Sequence, residues 1–225
     1  MKKLLTMTTA AAGLAVLMAG PAMAVPLNTS ITVAVFNGPA AGTYLNPSNK
    51  PSERQSEQAL PSAATVLTSY GSTTYTGGIN FTQNSGTATI GSFLATGGVT
   101  APGTSGALTL STGSFSDATL LKFTFTLPSA TTGTITHDDG ISIFAVGNTT
   151  TNLLPGFSAP TSLTGTSFGL PGGTYDLYYS EVNGLPAALT FDIVTQATVP
   201  EPVSMALLGA GLLSLGMARR RAGRA

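Results

Sequence analysis

From position 30 the chain alternates polar and apolar residues. Ser30-Ile-Thr-Val-Ala-Val-Phe36 has the period of two that marks a strand with one buried face. Similar text recurs at 73–82, 87–95, 107–110, 119–127, 132–136, 141–146, 149–153, 173–182 and 187–195. Gly-Gly, Pro-Gly, Asp-Gly and Asn-Gly pairs punctuate it at short intervals. Many short strands with that punctuation predict an all-β, antiparallel sandwich or jelly roll. Positions 37–51, broken by Gly38-Pro39 and Asn46-Pro47, read as loop. One helix is predicted over 52–60, with Ser52 as its cap, Glu53 in the first turn and Pro61 as its stop.

The two ends depart from this text. Met1-Lys2-Lys3, the apolar run 4–20 and Ala22-Met23-Ala24 have the order of a secretory signal peptide, which predicts cleavage after Ala24. At the other end, the uncharged run 203–218 precedes Arg219, Arg220 and Arg221. Its sixteen residues make a helix of about 24 Å, short for a hydrocarbon core of about 30 Å. The run is softened by Gly209, Gly211 and Gly216, so it is expected to be a transmembrane helix of provisional kind. The arginines keep their end on the cytoplasmic side. The expected organisation is a signal peptide at 1–24, a β-sandwich domain at 25–196 and a membrane-directed tail at 197–225.

Removing the ends changes the charge. Between Val25 and Pro200 only Lys50, Arg54 and Lys122 are basic, against the acids Glu53, Glu57, Asp117, Asp138, Asp139, Asp176, Glu181 and Asp192, a net of −5. That balance excludes a basic footprint for nucleic acid. The chain has no cysteine, so an exported domain must stand on its core alone, and its length is sufficient for one.

Val199-Pro200-Glu201-Pro202, followed by the apolar run and the arginines, resembles the PEP-CTERM sorting signal of Gram-negative bacteria. The resemblance implies an exosortase-type membrane enzyme that processes the tail, a transient inner-membrane stage, and delivery to the cell surface or the extracellular space. It also implies an association with exopolysaccharide and biofilm.

The most specific interior motif is His137-Asp138-Asp139-Gly140 ahead of Ile141-Ser-Ile-Phe-Ala-Val-Gly147, with a second block, Gly172-Gly-Thr-Tyr-Asp-Leu-Tyr-Tyr-Ser-Glu-Val-Asn-Gly-Leu-Pro-Ala-Ala-Leu-Thr-Phe-Asp192, following. Together the blocks resemble the β-sandwich of PA14-like and fibro-slime-like domains. Some lectins of that kind bind calcium, and through it a sugar, with paired aspartates. Carried over, Asp138 and Asp139 become calcium ligands, with Glu181 as a third oxygen donor. Against this stands a plain turn, in which the carboxylates cap backbone N–H groups and Gly140 takes positive φ.

His137, the single histidine, cannot build a nitrogen–sulfur zinc site without cysteine. As a polar residue ending a strand it needs no further role, and a general base is the other reading. Gly165-Thr-Ser-Phe-Gly169 matches a nucleophile elbow in letters, but the acid and histidine do not follow it in order and no helix follows. Asp176, Glu181 and Asp192 offer carboxylates for glycoside hydrolysis, without any tryptophan for sugar stacking. The expected function is therefore that of an exported, non-catalytic surface or matrix protein without a cofactor. A calcium-dependent carbohydrate-binding module is the alternative.

Overall fold

The computed structural model describes residues 23–27, 29–43, 54–111, 115–195 and 208–213. Met23–Thr195 form one compact unit; Met1–Ala22 with Gln196–Ala225 form the other. Of the second unit only 208–213 is described, an exposed helical stretch within the expected membrane run. Among the described residues no helix is long and apolar enough to cross a membrane. The expectations placed on 1–22, Ser52, Val199, Pro200, Glu201, Pro202 and Arg219, Arg220 and Arg221 lie outside the described residues.

The larger unit is a two-sheet antiparallel sandwich, as the alternation predicts. Its strands are β1 (Met23–Pro26), β2 (Thr29–Pro39), β3 (Thr68–Gly77), β4 (Asn80–Gln83), β5 (Asp117–Leu127), β6 (Thr131–His137), β7 (Ile141–Ala145), β8 (Thr164–Leu170), β9 (Gly173–Glu181) and β10 (Ala187–Thr195). One sheet runs β3-β2-β5-β9-β7, the other β1-β10-β6-β8, with β4 also paired to β10. β4 takes residues 187–190 of β10 and β1 takes 192–195. The expected cleavage point after Ala24 falls inside β1.

The inward residues follow the sequence period. Ile31, Val33 and Val35 of β2 and Leu121, Phe123 and Phe125 of β5 meet Ile135, Phe168, Leu189 and Phe191 of the facing sheet, all buried. Aromatic pairs fasten the two layers: Phe81 stacks on Phe123 at 5.5 Å, and Phe125 meets Phe191 edge-on at 5.1 Å. Such pairs add to the transfer free energy of burying the rings. Within β6, Gly133 is required by close approach, since a Cβ there would lie 2.1 Å from the Asp192 carbonyl oxygen.

The sequence misplaces the α-helix. The predicted helix at 52–60 is, in its described part, a single 3-10 turn at Gln55–Glu57. The Arg54 N–H donates to Glu57 Oε2 at 2.9 Å, and Gln58 is already extended. This segment is a lid rather than a helix. Ala59, Ala63 and Leu67 pack on Ala118, Leu120, Phe144, Tyr178 and Val182, which cover part of the outer face of the β3–β7 sheet.

The true α-helix, α1 (Ile90–Thr96), lies where a strand is predicted at 87–95. Thr89 Oγ1 accepts from the Ser92 N–H at 3.1 Å, and Ser92 Oγ accepts from the Thr89 N–H at 2.9 Å, a reciprocal capping box. At its end Gly98 takes φ +75°, with Gly98 N–H donating to Ala95 O and Val99 N–H to Leu94 O, both at 3.0 Å. That is a Schellman closure, and it buries Leu94 and Val99 together.

The strand predicted at 149–153 is also overturned. Asn148 Oδ1 accepts from the N–H groups of Thr150 and Thr151 at 2.9 Å, and that local bonding outcompetes the extended form. Similarly, 105–107 is a 3-10 turn, and only Thr109 bridges to Thr89. The expected strand 73–82 is broken at Gly77-Gly78 and divides between the two sheets. β8 was not predicted.

Replacing Thr89 by Ala is expected to lower unfolding free energy by about 1 kcal/mol, while Thr89→Ser retains most of it. Urea midpoints of the two variants check this. Equal stability of Thr89→Ala and wild type would mean that the capping box does not hold the helix.

Candidate functional site

Every chain crossing near the end of β6 meets at one turn. Residues 138–140 carry the chain from β6 to β7 in the other sheet, 146–163 return it to β8, and 182–186 join β9 to β10. Asp139 binds all three crossings. Its N–H donates to Thr161 O at 2.8 Å, and its Oδ2 accepts from Val182 N–H at 2.8 Å and Asn183 N–H at 3.2 Å. Beside it, Ile141 N–H donates to Phe157 O at 2.7 Å, and Asp138 N–H to Ala188 O at 3.0 Å.

The turn chemistry differs from expectation in one respect. Asp139, at φ +63°, takes the left-handed conformation, and Gly140 does not. Aspartate tolerates that region because its short side chain can bond backbone groups; here the partners lie more than forty residues away. Gly140 is needed for space, because a Cβ on it would sit 2.2 Å from Ser158 O.

His137 is fully buried at the end of β6. Its Nδ1 lies 2.7 Å from the Asp139 carbonyl oxygen and its Nε2 lies 2.8 Å from Thr166 Oγ1. A carbonyl only accepts, so Nδ1 carries the proton. The neutral ring then accepts the Thr166 hydroxyl proton at Nε2. Burial holds the histidine pKa below its usual value, partly opposed by the bond to the carbonyl. Both nitrogens are engaged in structure.

Glu181 completes the cluster. Tyr179 and Glu181 point from β9 into the interior, and the Tyr179 hydroxyl donates to Glu181 Oε2 at 2.6 Å. Burial first, then the Asp139 charge, pushes the Glu181 carboxyl up to about 10, so it is neutral at physiological pH. Asp139 is pushed up to about 7 by burial, opposed by the N–H groups it accepts from, and Asp138 to about 6 by burial. Asp139 Oδ1 and Glu181 Oε1 are buried without a hydrogen-bond partner.

Calcium takes six to eight oxygens and favours anionic carboxylates. Here Asp139 Oδ2 already accepts from two backbone N–H groups. Among the described residues, no three His, Cys, Asp or Glu side chains are grouped to hold a metal ion.

The remaining acids are dispersed. Asp176 sits on the outer face of its sheet, 2.5 Å from Thr124 Oγ1 and 3.7 Å from Lys122 Nζ. Asp192 lies on β10, in the other sheet, and Glu181 faces inward, so the three do not form a hydrolytic pair. Ser167 of the Gly165–Gly169 motif is exposed on β8, while its neighbour Thr166 turns inward to His137. Tyr175, Tyr178 and Tyr179 are buried. Sequence reasoning missed Thr166 and Tyr179 as partners of the cluster; Thr166 alternates with Phe168 and Leu170, a period-two signal that identifies its inward face.

Raised carboxyl pKa values set the sign of the pH response. A carboxyl whose pKa is higher folded than unfolded stabilises fully below its unfolded value, and that contribution is lost as pH rises through the folded value. Asp139 and Glu181 are of this kind, so their contribution to stability is expected to fall between pH 5 and pH 8. Glu181→Gln should flatten that slope and leave the protein at least as stable as wild type at pH 8. Urea unfolding across the range measures both effects, and a profile that rises toward pH 8 would contradict the assignment. Calcium titration by calorimetry is expected to give the same trace for wild type and for the Asp138→Asn, Asp139→Asn double variant.

No protein-family model and no curated protein matches this chain, and the reading of the cluster therefore rests on its own geometry: an internal fastening between sheet crossings.

Proposed function

We propose that this chain is an exported, non-catalytic protein of the cell surface or extracellular matrix, addressed by its C-terminal tail. The tail reading rests on Val199-Pro200-Glu201-Pro202, the apolar run and the arginines. In it, an exosortase-type enzyme in the inner membrane processes residues 197–225, and the sandwich remains at the surface or outside, associated with exopolysaccharide.

The observation that carries the non-catalytic part is the placing of reactive groups. His137, Asp139 and Glu181 are each fully buried and lie inside the joint of the sandwich, while much of the outer surface is hydroxyl. On the β3–β7 sheet, Thr74 and Thr32 share a bond at 2.9 Å, Thr126 and Thr174 one at 3.0 Å, and Thr124 bonds Asp176. The other sheet turns out Thr132, Thr134, Thr136, Ser167 and Thr190. Broad, nearly uncharged hydroxyl faces suit a hydrated neutral polymer better than a reacting small molecule, for which convergent polar groups in a concavity are the usual design.

Intact mass of the protein recovered from cells and medium tests the address. The expected mass lacks the basic tail, with the loss near Glu201, and removal of residues 197–225 from the gene is expected to abolish surface retention. A recovered mass that still includes Arg224 would refute the sorting proposal.

A further inference from the structure

The two edges of the β3–β7 sheet are finished differently. The β7 edge is covered by the chain itself: Ile141 N–H donates to Phe157 O, Leu153 N–H to Ile143 O at 2.8 Å, and Ile143 N–H to Asn152 Oδ1 at 3.2 Å. At the β3 edge, a bulge at Tyr70–Gly71, with Gly71 at φ +90°, interrupts the register opposite Val35. Gly103 lies close against the Tyr70 carbonyl there. Beyond the bulge, Ser72–Gly77 pairs in unbroken register with β2 on one side. Among the described residues no main-chain hydrogen bond reaches its other side.

An open strand edge is a template for another strand, and proteins usually blunt it with charge, proline or a covering segment. Ser72-Thr-Thr-Tyr-Thr-Gly77 has no charge and no proline, and its Thr and Tyr content favours extended pairing. The β8 edge is weakened by Gly165 and Gly169.

We infer that Ser72–Gly77 is a self-association edge, which pairs antiparallel with the same segment of a second copy across a two-fold axis at Thr74. Two observations select a second copy. The domain as a whole is acidic while this edge is neutral, so two copies meet there with least repulsion. The register centred on Thr74 also matches like surfaces. On the outer face Thr74 meets Thr74 and Ser72 meets Thr76, extending the Thr32–Thr74 hydroxyl ladder. On the inner face Thr73 meets Tyr75, a β-branched residue against an aromatic, which is a favourable cross-strand pair. Tyr75 is already held edge-on to Phe81 at 6.3 Å. So short a contact is weak for free molecules and gains strength when chains are concentrated on one surface.

The test is sedimentation of the full chain at low salt over a range of concentrations. Wild type is expected to show a concentration-dependent dimer. Thr74→Lys and Thr74→Glu each place like charges opposite one another and should weaken dimerisation about fivefold. Mixing the two variants should restore it, a result that misfolding cannot produce. Thr126→Lys, on the same face but away from the edge, should dimerise as wild type. A wild type that stays monomeric, a dimer insensitive to Thr74→Lys, or a mixture that stays monomeric would each overturn the inference.

Discussion

The sandwich is closed by one buried carboxylate. Asp139 accepts from the backbone N–H groups of Val182 and Asn183 and donates its own N–H to Thr161. With those bonds it ties together the three segments that pass between the sheets at that end. An ionised group inside a protein is costly unless bonded, and the two N–H donors offset part of that cost. The rest shows as a carboxyl that titrates near neutral pH, beside a Glu181 that stays protonated. The joint thus combines a strained conformation, a buried acid and a neutral histidine, all for the sake of geometry.

From this joint the division of the molecule follows. Groups that perform chemistry in other proteins, namely a histidine, two acids and a tyrosine, are here turned inward and bonded to backbone or to one another. The surfaces left outside are pleated sheets carrying threonine and serine, with a lid of residues 54–67 over part of one face. Among the described residues no main-chain hydrogen bond reaches the outer side of Ser72–Gly77, which is compatible with assembly into something larger.

The strand text was legible wherever a single face is buried. For 119–127, 173–182 and 187–195 the expected limits agree with the observed strands to within two residues. Errors came where local hydrogen bonding competes with the alternation. Thr89 and Ser92 close a capping box inside what reads as Thr-x-Thr-x strand text, and Asn148 captures two N–H groups in a threonine run. The 52–60 segment misled for a different reason. Ser52, Glu53 and Pro61 suggest a helix, whereas Glu57 is fully buried and Ala59, Ala63 and Leu67 fill a patch that exists only once β5, β7 and β9 lie side by side.

By itself the sequence determined the all-β class, because a period of two in apolar residues permits little else. It also marked the Asp-Asp-Gly turn as the most specific interior feature. It could not decide what that turn does. Val182, Asn183 and Thr166 stand 29 to 44 residues from the groups they bond, and no local pattern signals such pairings. Only folding both sheets together placed the two carboxylates in the interior, where burial raises their pKa values and turns candidate ligands into a structural joint. Tertiary structure likewise decided which strands lie at sheet edges, since an edge is a property of the assembled sheet and not of any one strand.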